Sequence, residues 1–312
     1  MNGKEFKEKI VENIEKVIVG KKNTIELLLT AIIADGHVLL EDVPGTGKTK
    51  LAKSLAKTIQ ADFNRIQFTP DLLPGDITGI NVYNNRENEF KLRKGPVFTN
   101  ILLADEINRA TPRTQAGLLE CMEERQITID GETYEAGKPF FVIATQNPVD
   151  TAGTFPLPEA QMDRFMMRLH MDLPQKEEEL AIMEKYMTEE PLVNLKSVIS
   201  LEELKQAKEE ANQVFVHHCI REYMVEIIDK TRKNSEIVMG VSPRGTLAFL
   251  RCVKAYAFLQ GRNYCTPDDV IKLAAPVLAH RIILGYGRTQ SGEQTITSIV
   301  ESLSVPTEDF SI

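Results

Sequence analysis

The residues best suited to chemistry in this sequence form a glycine-rich stretch, residues 41–49, Glu-Asp-Val-Pro-Gly-Thr-Gly-Lys-Thr. An apolar run at residues 38–40 precedes it, and residues 50–59 follow with leucine and isoleucine at four-residue spacing on one helical face. A loop that joins a strand to a helix in this way turns backbone N–H groups toward phosphate oxygens, and the positive end of the helix dipole points to the same place. The stretch therefore predicts a phosphate-binding loop.

Each part of this loop has a predicted contact. Lys48 would reach the β- and γ-phosphates of a nucleotide, and the Thr49 hydroxyl would bind Mg²⁺. Asp42 stands where the full consensus has its first glycine, and the alternative interpretation is a tight turn with a surface lysine. The strand-to-helix context favours the phosphate-binding loop. Its predicted nucleotide-binding residues are Pro44, Gly45, Thr46, Gly47, Lys48, Thr49 and Lys50.

The second motif is a pair of adjacent carboxylates at the end of a predicted buried strand, residues 101–104, Ile-Leu-Leu-Ala. In phosphate-loop enzymes an aspartate at the position of Asp105 holds Mg²⁺, and the following glutamate, here Glu106, polarises the attacking water. An isolated match is also compatible with a strand that ends at a solvated acidic turn. The order and spacing after Lys48 favour the catalytic interpretation.

Two weaker candidates complete the predicted site. Asn147 follows a predicted buried strand at residues 140–144, and nucleotide sites in open parallel sheets lie at the carboxyl ends of strands. It is predicted to orient the attacking water or contact the γ-phosphate, with an Asn-Pro turn as the alternative. The apolar turn of residues 17–20, which ends in Val19 and Gly20, could line an adenine pocket or simply pack at a helix end.

Composition sets limits on the class of protein. With 312 residues the chain is long enough for about two domains, and 42% hydrophobic and 26% charged residues are ordinary globular values. The formal net charge of -8 gives no basic footprint, so a nucleic-acid partner is not expected. No apolar run approaches the roughly 20 residues that span a bilayer, and the first residues lack a signal peptide's apolar segment, so the expected location is the cytoplasm. Reduced thiols are predicted for the four widely spaced cysteines, Cys121, Cys219, Cys252 and Cys265.

The pattern of predicted elements changes along the chain. Residues 1–174 alternate strands and helices, as expected for an αβα nucleotide-binding core with a parallel sheet. Residues 175–200 are predicted to be a linker with a charged helix in it. Residues 201–312 are predicted to form a domain of helices only, with candidates at residues 201–213, 219–233, 242–260 and 266–284.

Two hairpins are expected to leave the core. One lies within a long insertion, residues 70–98, and insertions of this length in an α/β core are usually functional. The other covers residues 126–135, where Asp130 and Gly131 suit a tight turn because both positions must accept positive φ.

Taken in order, these residues give the chain a close resemblance to the MoxR family of AAA+ ATPases. The resemblance covers essentially the whole chain, and chains of this family tolerate Asp42 at the first loop glycine. It implies a P-loop αβα AAA+ core followed by a small all-helical lid. The family-specific motifs are residues 104–110 (Ala-Asp-Glu-Ile-Asn-Arg-Ala), 144–148 (Ala-Thr-Gln-Asn-Pro) and 158–165 (Pro-Glu-Ala-Gln-Met-Asp-Arg-Phe).

The resemblance also implies residue roles. Asn147 matches sensor 1, Arg164 matches the arginine finger, and Arg244 matches the sensor 2 arginine. An arginine supplied by a neighbouring subunit stabilises charge on the γ-phosphoryl oxygens and accelerates hydrolysis by about 10³- to 10⁵-fold. Activity would then depend on assembly. The competing candidates for contacts between subunits are Arg109, Arg113 and Arg168.

The function that the resemblance implies is ATP hydrolysis with Mg²⁺ in a homo-oligomeric, hexameric ring whose two hairpins project toward the central pore. Its work would be chaperone-like remodelling or maturation of protein clients, among them von Willebrand factor A domain proteins. The alternative is an ATP-switched scaffold with slow turnover. A nucleic-acid motor is disfavoured because the chain has no Trp and no basic patch with interleaved aromatic residues.

Overall fold

A computed structural model describes residues 2–41, 43, 45–147, 153–187, 190–285, 290–307 and 310. None of the helices in these described ranges is long and apolar enough to cross a membrane. The core elements, in chain order, are α1 (Gly3–Glu15), α2 (Lys22–Ile33), β1 (Val38–Glu41), α3 (Lys48–Thr58), β2 (Phe63–Gln67), α4 (Pro74–Thr78), β3 (Gly79–Asn84), β4 (Glu89–Lys94), β5 (Ile101–Asp105), α5 (Pro112–Glu124), β6 (Gln126–Ile129), β7 (Glu132–Glu135), β8 (Phe141–Gln146), α6 (Glu159–Met162) and β9 (Met167–His170).

The core is built on a five-stranded parallel sheet with the order β2-β5-β8-β1-β9. Its central strands are apolar and buried because helices cover both faces, which is the usual reason for continuous hydrophobic runs in parallel sheets. The register places Ala104 beside Ala144, and Glu41 beside Gln146. The carboxyl ends of β5, β8 and β1 therefore meet at one edge, where the predicted site residues lie.

Both predicted hairpins are present. In the insertion, β3 pairs antiparallel with β4, and Tyr83 lies opposite Phe90. In the second hairpin, β6 pairs with β7 around Asp130 and Gly131, whose φ angles are 50° and 86°. These positive angles are those that the tight turn requires.

The predicted linker contains α7 (Lys176–Tyr186) and α8 (Pro191–Asn194). The α7 helix is anchored on the core, because the Tyr186 hydroxyl donates to the Val17 carbonyl at 3.2 Å and Lys185 donates to the Glu15 carbonyl. It is a structural part of the core surface and not a free connection.

The lid comprises α9 (Leu201–Asn212), α10 (His218–Lys233), β10 (Ile237–Met239), α11 (Pro243–Leu259), α12 (Pro267–Leu278), β11 (Ile283–Leu284) and α13 (Gly292–Glu301). The lid is helical, as predicted, with one addition to the expected helices: β10 and β11 form a short antiparallel ladder.

Two lid helices differ from the sequence-based expectation. The helix predicted to reach residue 284 ends at Leu278, and a 3₁₀ turn follows in which His280 and Arg281 are buried against the core. Those long-range contacts override the local helical pattern. The α13 helix was not predicted, although Ser291 and Gln294 form a capping box that signals its start.

Candidate nucleotide site

The glycine-rich stretch is a loop between β1 and α3, as predicted. Gly45 and Gly47 have φ angles of 92° and 91°, which other residues adopt only with strain, and Gly47 caps the helix that begins at Lys48. The backbone thus turns at the N-terminus of α3, where N–H groups lack helical partners. Asp42 and Pro44 lie outside the described residues.

A cleft of about 520 Å³ opens above this loop. It brings together residues from six separate segments of the chain, among them the loop, the acidic pair and Asn147, as the sequence predicted. Gly20 lies next to the cleft wall with a φ of 72°, a backbone conformation that other residues adopt only with strain, and a Cβ there would meet the Glu178 carboxylate. The predicted residues that line the cleft are Val19, Gly45, Thr46, Gly47, Lys48, Thr49, Lys50, Asp105, Glu106 and Asn147.

One end of the cleft is apolar. Val17, Ile18 and Val19 line one wall of it, and Ile182 and Tyr186 of α7 line a second. An apolar slot of this kind suits the faces of a purine base. The sequence analysis found the first wall and missed the second, although isoleucine and tyrosine four residues apart in a charged helix are a recognisable signal.

Lys50, in the first turn of α3 directly after the loop, contacts Tyr186 in the second wall. Its Nζ lies 3.9 Å from the centroid of the Tyr186 ring and 3.2 Å from Glu190 Oε1. A cation over an aromatic face is attracted by the ring's electron density. The phosphate loop and α7 are therefore in direct contact at the cleft.

The other end of the cleft is acidic, and each acid has defined partners. Asp105 Oδ1 accepts from the Thr145 hydroxyl at 3.1 Å, and its Oδ2 accepts from Arg65 Nε at 2.6 Å. The Glu106 N–H donates to Thr145 Oγ1 at 2.9 Å. Thr145 thus fixes both acids relative to β8.

The Glu106 carboxylate is held by two further side chains. Its Oε2 accepts from Gln67 Nε2 at 2.8 Å and lies 3.0 Å from Arg109 Nε. Arg65 and Gln67 were missed as site residues. They stand two positions apart on β2, on the face opposite buried Ile66, and that alternation was the available signal.

The residues present fit a nucleotide phosphate and a magnesium ion. Thr46 Oγ1 is buried in the loop without a protein hydrogen-bond partner, which suits a phosphate oxygen as acceptor. Lys48 Nζ contacts the Val43 carbonyl at 3.4 Å, within the same loop. Among the described residues there is no cluster of three or more His, Cys, Asp or Glu side chains, so a cation here would share Thr49, Asp105 and phosphate oxygens.

The two arginines predicted to act in catalysis lie elsewhere. Arg164 and Arg244 line a separate cleft of about 180 Å³ between core and lid. Both contact the same carboxylate: Arg164 Nε lies 3.0 Å from Glu123 Oε2, and Arg244 donates to Glu123 Oε1. The Arg164 Nε–H is not aimed at Glu123, so this contact is an ion pair and not an aligned hydrogen bond. Neither arginine lines the chain's own nucleotide cleft.

Comparison with known proteins agrees with the fold. Residues 37–167 match the family described as "ATPase family associated with various cellular activities (AAA)", and residues 229–303 match the "AAA lid domain". The chain is 39% identical to a candidate ATPase from Cytophaga hutchinsonii of known crystal structure. The TM-score is 0.91, and the match covers 98% of this chain and 96% of that one.

Two relatives match along nearly the whole sequence. The uncharacterised protein YeaC of Bacillus subtilis is 48% identical over 303 residues, which are 96% of this chain and 95% of that protein. Chaperone MoxR1 of Mycobacterium tuberculosis is 38% identical over 311 residues, which are 96% of this chain and 82% of that protein. With the phosphate loop, the acidic strand end and the lid in place, the chain belongs to the MoxR family of AAA+ ATPases.

Proposed function

We propose that this protein binds ATP and Mg²⁺ in the cleft above the phosphate loop and hydrolyses ATP in a ring of identical subunits. The observation that carries the proposal is the placement of Lys48, Thr49, Asp105 and Glu106 around one cleft, with an apolar slot for a base at its other end. Membership of the AAA+ family supports the same reaction.

Each residue has a role that follows from its chemistry. The N–H groups of the loop and the Lys48 ammonium bind phosphate oxygens, and Thr49 and Asp105 hold the cation. Mg²⁺, when bound, neutralises charge that develops on the phosphate oxygens. Glu106 accepts a proton from the attacking water, and Asn147 orients that water.

The ring is proposed because the arginines lie outside their own cleft. Phosphoryl transfer needs cationic stabilisation of the γ-phosphoryl oxygens. Arg164 and Arg244 stand together on Glu123, facing a cleft at the core–lid junction. We assign both to a neighbour's nucleotide, with Arg164 as the finger, so that head-to-tail contacts between copies complete every active site.

The test is Mg²⁺-dependent ATP hydrolysis per subunit, measured as protein concentration rises. We expect a rate that climbs steeply with concentration and is lost in both Lys48→Ala and Arg164→Ala. Arg221→Ala, at an exposed position on α10, is the control and should retain the rate. A concentration-independent rate that survives Arg164→Ala would rule out completion of the site by a neighbour.

The proposed use of hydrolysis is the remodelling or maturation of protein clients in the cytoplasm. It is supported by the relative named Chaperone MoxR1, and the resemblance suggests clients with a von Willebrand factor A domain. The exposed hairpin of β3 and β4 offers a contact surface, with Phe90 71% exposed and its ring 5.2 Å from that of Tyr83.

The second candidate function is an ATP-gated scaffold. The Glu106 carboxylate accepts a hydrogen bond from Gln67 and is paired with Arg109. A base whose carboxylate is already engaged in this way accepts a proton from water less readily, which favours slow turnover. A Glu106→Gln chain, which binds ATP without hydrolysis, separates the two functions. If it still supports the client's activity, the protein is a switch; if client activity is lost while ATP binding persists, turnover drives remodelling.

A further inference from the structure

The lid inserts one buried arginine into the core. Arg281, in the 3₁₀ turn after α12, has a side chain only 2% exposed, and its Nε donates to Asp163 Oδ1 at 2.8 Å. Its Nη2 donates to the Phe165 carbonyl at 2.6 Å, and its Nη1 donates to the Met166 carbonyl at 3.2 Å. These acceptors lie on both sides of Arg164 in the chain. One guanidinium therefore holds the backbone turn that presents Arg164.

The same network reaches the second arginine. The other oxygen of Asp163 accepts from the Ser242 hydroxyl at 2.9 Å. Ser242 is the N-cap of α11 and accepts from the Gly245 N–H at 3.2 Å, so it fixes the first turn of that helix. Arg244 lies in this turn. The Asp163 carboxylate thus joins the segment that carries Arg164 to the helix that carries Arg244.

We propose that Arg281 is a positioning residue for this arginine pair, acting through Asp163 and Ser242 to present Arg164 and Arg244 together to the nucleotide of a second copy of this chain. The proposal rests on the proposed function, because it assumes that the pair acts in a neighbour's site. Arg281 itself is buried, and its guanidinium donors are engaged by Asp163 and the backbone carbonyls of Phe165 and Met166, so its proposed role is to hold the pair and not to bind the nucleotide.

The chemistry requires an arginine at this position. A guanidinium is planar and presents several donors in a fixed fork, so it can serve a carboxylate and two carbonyls at once. A lysine keeps the charge, but its N–H donors all lie on one nitrogen and cannot reproduce the fork of the guanidinium. Arg281→Lys should therefore preserve the charge of the core–lid junction while releasing the turn around Arg164.

The variants are designed in pairs. Arg281→Lys weakens the contact from the lid. Asp163→Asn weakens it from the core with almost no change of volume, because an amide has no charge and only one of the two oxygens that accept from Arg281 and Ser242. A folding failure of either variant leaves the other. The matched control is Arg262→Lys. Arg262 is also a lid arginine in a carboxylate pair, with Asp269 at 2.7 Å, but it lies away from the arginine pair. Circular dichroism and thermal unfolding report whether each variant folds.

The decisive measurement is hydrolysis by mixed rings. Alone, Arg281→Lys and Asp163→Asn should lose at least about tenfold in ATPase rate at saturating ATP, while Arg262→Lys retains it. Lys48→Ala chains are inactive but carry an intact arginine pair. Mixed in equal amounts with Arg281→Lys chains, they should restore about a quarter of the wild-type rate. Half of the nucleotide sites, those of the Arg281→Lys chains, still have Lys48, and about half of these lie next to a Lys48→Ala chain with an intact arginine pair.

Two further mixtures separate the outcomes. Arg281→Lys with Arg164→Ala should gain nothing over the low rates of the two variants alone, since neither chain supplies a positioned arginine. A different result would overturn the positioning role: Lys48→Ala chains restore the ATPase rate of Arg164→Ala chains but not that of Arg281→Lys or Asp163→Asn chains. It would show that Arg281→Lys and Asp163→Asn damage only the nucleotide site of their own chain. If Arg164→Ala itself is not rescued, the proposed completion by a neighbour fails, and the inference fails with it. A folded Arg281→Lys or Asp163→Asn with full activity would also overturn it.

Discussion

Arg65 Nε donates a 2.6 Å hydrogen bond to Asp105 Oδ2, the carboxylate oxygen that is not bound by Thr145. An arginine on β2 and a bound cation would therefore compete for one oxygen of the acid that we assign to Mg²⁺. Side chains on β2 thus belong to the site as much as the loop does.

The first prediction follows from this competition. Arg65→Met should lower the Mg²⁺ concentration for half-maximal ATPase activity by up to about fivefold, because a half-exposed ion pair contributes about 1 kcal/mol or less. A magnesium titration at saturating ATP measures it, with Arg221→Met as the control. An unchanged or increased Mg²⁺ requirement would contradict the competition.

The second prediction concerns the wall of the apolar slot. Tyr186→Ala should raise the KM for ATP by about five- to thirtyfold, because it removes the ring that faces the base and supports Lys50, worth about 1 to 2 kcal/mol. Tyr186→Phe keeps the ring and loses only the hydrogen bond to Val17, so its KM should stay close to wild type. Equal effects of the two substitutions would assign the role to the hydroxyl instead.

The third prediction uses two glycines with nearly the same positive φ, which glycine adopts without strain and alanine does not. Gly47 and Gly131 have φ angles of 91° and 86°, and a Cβ at either would meet no atom within 4 Å. Alanine should cost each about 1 to 2 kcal/mol of unfolding free energy through backbone strain alone. Only Gly47→Ala should also lose ATP binding, measured by calorimetry. Retained affinity in Gly47→Ala would mean that the loop does not need this conformation.

The fourth prediction is loss of stability in acid. Burial lowers the pKa of His37 to about 4, and its neutral ring accepts from the Val142 N–H and contacts the Met122 carbonyl. Burial, followed by the charge of Arg281, also lowers the pKa of His280. A histidine held neutral in the fold stabilises it fully above the unfolded pKa of about 6.5 and less as pH falls toward the folded value.

The free energy of unfolding should therefore fall between about pH 6.5 and 4, with His37 contributing about 3 kcal/mol of the loss. Urea unfolding across this range measures it. His37→Asn, which keeps a donor and an acceptor, should flatten the profile. His218→Gln, at an exposed position on α10, should not change it. A wild-type profile that is flat over this range would show that His37 is protonated at little cost.

The sequence by itself determined the local part of this protein. The glycine loop, the acidic end of β5 and the Asp130-Gly131 turn depend on neighbouring residues, because backbone conformation and strand ends follow short-range rules. Strands with continuous apolar runs also specified a parallel sheet whose carboxyl ends meet, which placed Asn147 beside Asp105 and Glu106.

Only the tertiary structure decided which distant side chains meet. Arg281 contacts Asp163 across 118 positions, and Arg244 contacts Glu123 across 121. Tyr186 likewise completes the base slot from a segment predicted to be a linker. Such pairs leave no local periodicity, since a buried guanidinium needs its acceptors in space and not in sequence. For that physical reason the contacts of Arg281 around Arg164 could not be predicted from the sequence and required the packing of the lid on the core.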